Sequence, residues 1–158
     1  MNRRSWFSVT AAGFFGIALG LSAAIADAQD AAKKSISTPD APKAVGPYSQ
    51  AIAVGKTVYL AGQVAIDPKT NQFMTDESIE DQTRRALENL KAVLAADGLT
   101  MDDLASTTVF LKDMNDFGKM NEVYATYFKN APPARATVEV ARLSRDMKIE
   151  ISGIAVRP

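Results

Sequence analysis

Two charged residues near the C-terminus, Arg135 and Glu150, are of the types that hold and transform a small carboxylate. A guanidinium donates two parallel hydrogen bonds to a carboxylate, and a glutamate can hold and activate water. With the period-two alternation of a strand, Arg135, Thr137 and Glu139 share one face, and Ala136, Val138 and Val140 the other. In the last strand Lys148, Glu150 and Ser152 lie opposite Ile149 and Ile151. Taken alone, Arg135 and Glu150 read first as a solvated or cross-strand ion pair of little energetic weight. Tyr48, between Pro47 and Ser49, is either pocket lining or a loop aromatic packed on the core. Gly62 follows a strand and marks a close backbone approach to a ligand or neighbouring chain, or a bulge. Asn121 sits one position off the apolar stripe of a helix, where a surface polar residue is the first reading.

The chain contains no histidine and no cysteine. This removes Ser-His-Asp and Cys-His catalysis, the usual zinc and iron sites, and disulfides. Any catalysis must run on Arg, Lys, carboxylates, hydroxyls, backbone groups and water. The 18 basic and 18 acidic residues cancel, so no basic face is implied and nucleic acid is not an expected partner.

These residues need elements to position them. Ser35 to Thr38 reads as a short strand, and Pro39 to Pro47 as an extended loop with three prolines and a glycine. Strands at Ala51 to Val54 and Thr57 to Gly62 are joined by a tight turn at Gly55-Lys56, and Asp67 to Asn71 forms another turn. Glu77 to Ala96 is the clearest helix. Ile79, Thr83, Ala86, Leu87, Leu90, Val93 and Leu94 form its apolar stripe; Thr75 or Asp76 caps its start, and Gly98 ends it. Leu104 to Lys112 is a strand. Asp116 to Lys129 is a second helix, with Phe117, Met120, Val123, Tyr124, Tyr127 and Phe128 on its apolar side and Pro132-Pro133 as its stop. Arg135 to Leu143 and Lys148 to Val156 are the final strands, expected as an antiparallel hairpin around Ser144-Arg145-Asp146. The order β-β-β-α-β-α-β-β predicts an α+β sandwich, one sheet with two helices on one face. The polar face of the last hairpin, mid-strand, would meet water or a covering partner.

The N-terminal residues differ from the rest. Asn2-Arg3-Arg4 precedes an apolar run from Trp6 to Ile25, which ends in small residues up to Ala28. Residues 1–28 therefore read as a secretory signal peptide, or as an uncleaved anchor. Arg3-Arg4 followed by Ser5-Trp6-Phe7 also fits a twin-arginine signal. Residues 29–35 read as a mobile lead-in and 36–158 as one domain, exported to the bacterial periplasm and free of the membrane after cleavage.

Several segments in order carry a resemblance: Ala44-Val45-Gly46-Pro47-Tyr48-Ser49-Gln50-Ala51, Ala61-Gly62-Gln63, Thr107 to Asp113, Asn121-x-x-Tyr124-x-x-Tyr127-Phe128, Pro133-Ala134-Arg135, Val138 to Leu143, and Lys148-Ile149-Glu150-Ile151. Together they resemble the Rid/YjgF family over about Ile36 to Arg157. The resemblance implies a chorismate-mutase-like α+β fold assembled as a homotrimer, with sheets facing inward and pockets at subunit interfaces. It implies hydrolysis of enamines and imines such as 2-aminoacrylate to 2-oxo acids and ammonia, without cofactor or metal. A non-catalytic trimer that binds small carboxylates, or a chaperone-like role, is the alternative.

By the same resemblance Arg135 occupies the position of the substrate-carboxylate arginine, and Glu150 that of the acid orienting the attacking water. Tyr48 matches a pocket tyrosine, Gly62 a backbone contact, and Asn121 an asparagine of the same region. The chain departs from the family at two further positions. Thr137 stands where some members have cysteine, keeping a hydroxyl for hydrogen bonding. Ala61 stands where a serine often precedes the glycine, so a hydroxyl contact is lost while the backbone remains. An exported member would also meet substrates other than those of cytoplasmic enzymes.

Overall fold

The computed structural model describes residues 32–158; the expected signal peptide, and the lead-in up to residue 31, lie outside the described residues. Six strands form one mixed sheet: β1 (Lys34–Ile36), β2 (Ala51–Val54), β3 (Thr57–Gln63), β4 (Leu104–Leu111), β5 (Ala134–Glu139) and β6 (Ile149–Val156). Two helices, α1 (Ile79–Ala95) and α2 (Phe117–Ala125), complete the domain. The element order and the one-sheet, two-helix architecture are those expected from the sequence.

The strand order is β1-β2-β3-β6-β4-β5, and this overturns the expected hairpin. Strand β5 pairs in parallel with β4, Thr107 opposite Arg135 and Leu111 opposite Glu139. A parallel pair needs a crossover connection, and α2 supplies it. Strand β6 instead runs antiparallel to both β3 and β4. The chain does reverse between β5 and β6, but β4 lies between them. Burial gives the reason: Ile149, Ile151 and Ala155 of β6 are fully buried, which suits a central strand, whereas β5 carries exposed Val138 and sits at the edge.

On the sheet, Val109, Leu111, Ile149 and Ile151 meet Leu87, Leu90 and Leu94 of α1, all of them with no exposed surface. Helix α1 starts later than expected. Ser78, not Thr75 or Asp76, is its cap, and the Ser78 hydroxyl accepts the Asp81 N–H at 3.1 Å. The Thr75 and Glu77 carbonyls are instead taken by the buried Gln82 amide at 3.1 and 3.2 Å. Gly98, at φ +75°, closes the other end, with its N–H on the Ala95 carbonyl and the Leu99 N–H on that of Leu94. Helix α2 ends at Ala125 rather than Lys129, where the Thr126 hydroxyl donates to the Val123 carbonyl at 2.7 Å. Beyond that end, Phe128 still packs on Tyr124, with ring centroids 4.7 Å apart.

Candidate functional site

Glu150 lies on the sheet face away from the helices, paired with Phe110 of β4 and flanked in sequence by buried Ile149 and Ile151. Beside it β3 bulges: the register passes from Leu60–Gly153 to Gln63–Ile151, two steps on one strand against three on the other. The bulge turns Gly62 toward Glu150. A Cβ built on Gly62 would lie 2.7 Å from the Glu150 Cδ and 3.0 Å from its Cγ. Gly62 is therefore both in a bulge and at a close approach, and what approaches it in the chain is the Glu150 side chain.

The loop before β2 is held over this spot by Gln50. Its amide donates to the carbonyls of Thr38, Ala41 and Pro42 at 3.1, 3.3 and 2.8 Å, and its oxygen accepts the Thr38 N–H at 2.6 Å. The Gln50 carbonyl also accepts the Ala61 N–H at 3.0 Å. Tyr48 rides on this loop, half exposed, its hydroxyl accepting the Val45 N–H at 3.3 Å. Tyr48, Ala61, Gly62 and Glu150 border a cavity of about 410 Å³, whose apolar wall includes Val45, Val64, Ile66 and Phe73. Burial raises the Glu150 carboxyl above its ordinary 4.5.

Arg135 is elsewhere. Its register with Thr107 turns it to the helix side of the edge strand, where one Nη donates to Asn121 Oδ1 at 2.7 Å. The guanidinium carbon lies 4.4 Å from the Tyr124 ring centroid and 5.8 Å from that of Phe117. Tyr124 is nearly buried, and its hydroxyl is hydrogen-bonded to Thr107 Oγ1 at 2.7 Å. Burial pushes its phenol up, partly offset by that bond and by Arg135. Asn121, Tyr124, Phe128, Pro133 and Arg135 line a second cavity of about 330 Å³. On the same strand face Thr137 Oγ1 is buried with no hydrogen-bond partner among the described residues, and Glu139 accepts the Met114 N–H at 2.8 Å.

The expectation that Arg135 and Glu150 share one polar face is thus corrected. They occupy opposite faces, since residues paired across β5, β4 and β6 point the same way and Glu150 aligns with Phe110 and Val138 rather than with Thr107. Nor is the Glu150 face mainly polar: Tyr59, Val138, Ile154 and Val156 are all exposed on it. Within one chain the structure gathers Tyr48, Ala61, Gly62 and Glu150 into one half-site, and Arg135 and Asn121 into another, with Thr137 beside them. Tyr124 and Thr107 were missed as site residues. Their signal was present: Phe117, Asn121 and Tyr124 fall at helical i, i+4, i+7 spacing, but an aromatic in that stripe reads first as core.

The fold is α+β, with an arginine and a glutamate each bordering a cavity, on opposite faces of one sheet. The chain belongs to the family described as Endoribonuclease L-PSP, whose sequence profile matches residues 38–157; this is the Rid/YjgF family of the sequence resemblance. It is 54% identical over 125 residues to a "RutC family protein" of Pyrococcus horikoshii, covering 79% of this chain and 98% of the relative. It is 50% identical over 127 residues to the "2-iminobutanoate/2-iminopropanoate deaminase" of Salmonella typhimurium, covering 78% and 98%. Among solved structures it resembles E. coli TdcF with bound serine, at 43% identity and a TM-score of 0.76, covering 79% of this chain and 99% of that one.

Proposed function

We propose that this protein hydrolyses imines and enamines of small amino acids to 2-oxo acids and ammonia, in a pocket completed between copies of the chain. The observation that carries the reading is Glu150: a half-buried carboxylate, raised by burial and set against the bare backbone of Gly62 at the edge of a cavity. A carboxylate so placed can hold a water molecule at the cavity edge and accept a proton from it. The naming of a relative as an imine deaminase supports the reaction class.

In the proposed step, Arg135 binds the substrate carboxylate through N–H groups not given to Asn121. Water held by Glu150 adds its oxygen to the imine carbon while its proton passes to the carboxylate. The proton is returned to nitrogen, giving a neutral carbinolamine; the carboxylate then carries the hydroxyl proton to the amine, the C–N bond breaks as the C=O bond forms, and ammonia leaves a ketone. An enamine enters the same sequence after protonation at its terminal carbon. Orientation of water and imine does most of this work.

Because Arg135 and Glu150 lie on opposite faces of one sheet, the reading requires a second copy. In a ring of three, the apolar face bearing Tyr59, Val138, Ile154 and Val156 would be covered, and the edge strand of one copy would bring Arg135 to the Glu150 of the next. The proposal includes export through residues 1–28; a mature form found only in the soluble cytoplasmic fraction would overturn that part. Turnover is tested by generating imines with an amino-acid oxidase and trapping the remainder with semicarbazide. The reading predicts faster loss of trappable imine, abolished by Arg135→Ala; no acceleration by the folded wild type would overturn it.

A further inference from the structure

We propose that Tyr124 is a positioning residue: its ring is the platform that sets the orientation of the Arg135 guanidinium, and so the selectivity of the site for a carboxylate. The inference rests on the proposed role of Arg135 as carboxylate binder. Four observations meet at this ring.

The Arg135 guanidinium carbon lies over it at 4.4 Å from the centroid. Asn121 Oδ1 takes one Nη hydrogen at 2.7 Å, fixing rotation of the guanidinium about its axis. The ring is itself fixed, by the 2.7 Å bond between its hydroxyl and Thr107 Oγ1 and by packing on Phe128. Thr107 is the β4 residue in direct register with Arg135, so the anchor of the platform and the residue it carries are neighbours on the sheet.

A guanidinium on an exposed edge strand would otherwise sample many rotamers. Here one face is covered by an aromatic ring and one N–H is committed to Asn121, which leaves the opposite edge of the fork to a planar carboxylate. Attraction by the ring face itself takes no hydrogen-bond donor, so orientation is gained while most of the fork stays available. Tyr124 touches neither the ligand nor the reacting atoms in this scheme and acts only through Arg135.

The test compares Tyr124→Leu, which removes the aromatic face, with Tyr124→Phe, which keeps it. In the native assembly, calorimetric binding of 2-oxobutanoate should weaken about tenfold in Tyr124→Leu and by a clearly smaller factor in Tyr124→Phe, which loses the Thr107 bond but keeps the ring face and its packing on Phe128. The ratio of kcat/KM for a carboxylate-bearing imine to that for its carboxylate-free analogue should fall by a similar factor, through KM. The ¹⁵N-edited proton resonance of Arg135 Nε, read without ligand, should carry a ring-current shift that Tyr124→Phe keeps and Tyr124→Leu loses.

Equal weakening in both variants, an unchanged selectivity ratio in Tyr124→Leu, or an unshifted Nε resonance in the wild type would overturn the platform. If wild type binds no 2-oxo acid and turns over no imine, the proposed function fails. The ligand-free resonance then still judges whether Tyr124 orients Arg135.

Discussion

Replacing Gly62 with alanine tests how Glu150 is held. The added methyl would overlap the Glu150 carboxylate, lying 2.7 Å from Cδ and 3.0 Å from Cγ. Ordinary contact between such carbons is about 3.5 to 4.0 Å, so the carboxyl carbon must retreat by roughly 1 Å. The far end of a glutamate is flexible, so the fold can absorb this. Catalysis cannot: a misplacement of about 1 Å costs about 100-fold, or about 2.7 kcal/mol of transition-state stabilisation. The expected result is kcat/KM lower by about 100-fold, with most of the loss in kcat and a thermal midpoint within a few degrees of wild type. The loss should not add to that of Glu150→Gln, because both act on one group. Wild-type turnover by a folded Gly62→Ala protein, or full additivity with Glu150→Gln, would refute the assignment of Glu150 as the group that Gly62 accommodates.

Three further outcomes follow from the geometry. Burial raises the Glu150 carboxyl above 4.5, so wild-type stability relative to Glu150→Gln is lost as pH rises through the folded pKa, where the buried carboxylate becomes charged; denaturation at pH 4 and pH 8 should show the Gln variant gaining relative to wild type at the higher pH. The kcat/KM profile should correspondingly have an acid limb with a midpoint above 4.5, absent in whatever activity Glu150→Gln retains. Arg157 donates from Nε and Nη to both Asp97 oxygens at 2.8 Å and to the Gly55 carbonyl at 3.0 Å, with the Asp97 side chain only 7% exposed; Arg157→Ala should cost about 2 kcal/mol, discounted for the partly exposed arginine, measured by chemical denaturation.

Much of the fold was legible because local pattern decides it. The apolar stripe from Ile79 to Leu94 could only be one side of a helix, and the alternation Ile149-Glu150-Ile151 could only be a strand with Glu150 turned away from the helices. Strand neighbours were not legible. Arg145 and Asp146 adopt left-handed backbone at φ 53° and 63°, as a reversing turn requires, but a turn states only that the chain reverses. Which strand it rejoins depends on the crossover through α2, which reserves the place beside β4 for β5. The same gap misplaced Arg135: alternation groups it with Thr137 but does not say which face that group takes, and the answer came from its register with Thr107. Gly62 was legible as a close approach, while the atoms approaching it were not, because they arrive from β6, far along the chain.

In the proposed site Arg135 and Glu150 meet only between copies of the chain, and mixing two inactive variants decides whether they do. Arg135→Ala and Glu150→Gln are purified separately, unfolded together in equal amounts and refolded, and imine hydrolysis is measured. In a ring whose sites each take Arg135 from one copy and Glu150 from the next, random mixing leaves about a quarter of the sites with both residues intact, so activity should return to about 25% of wild type. A mixture no more active than either variant alone, in assemblies shown by mass to be mixed, would contradict the shared site.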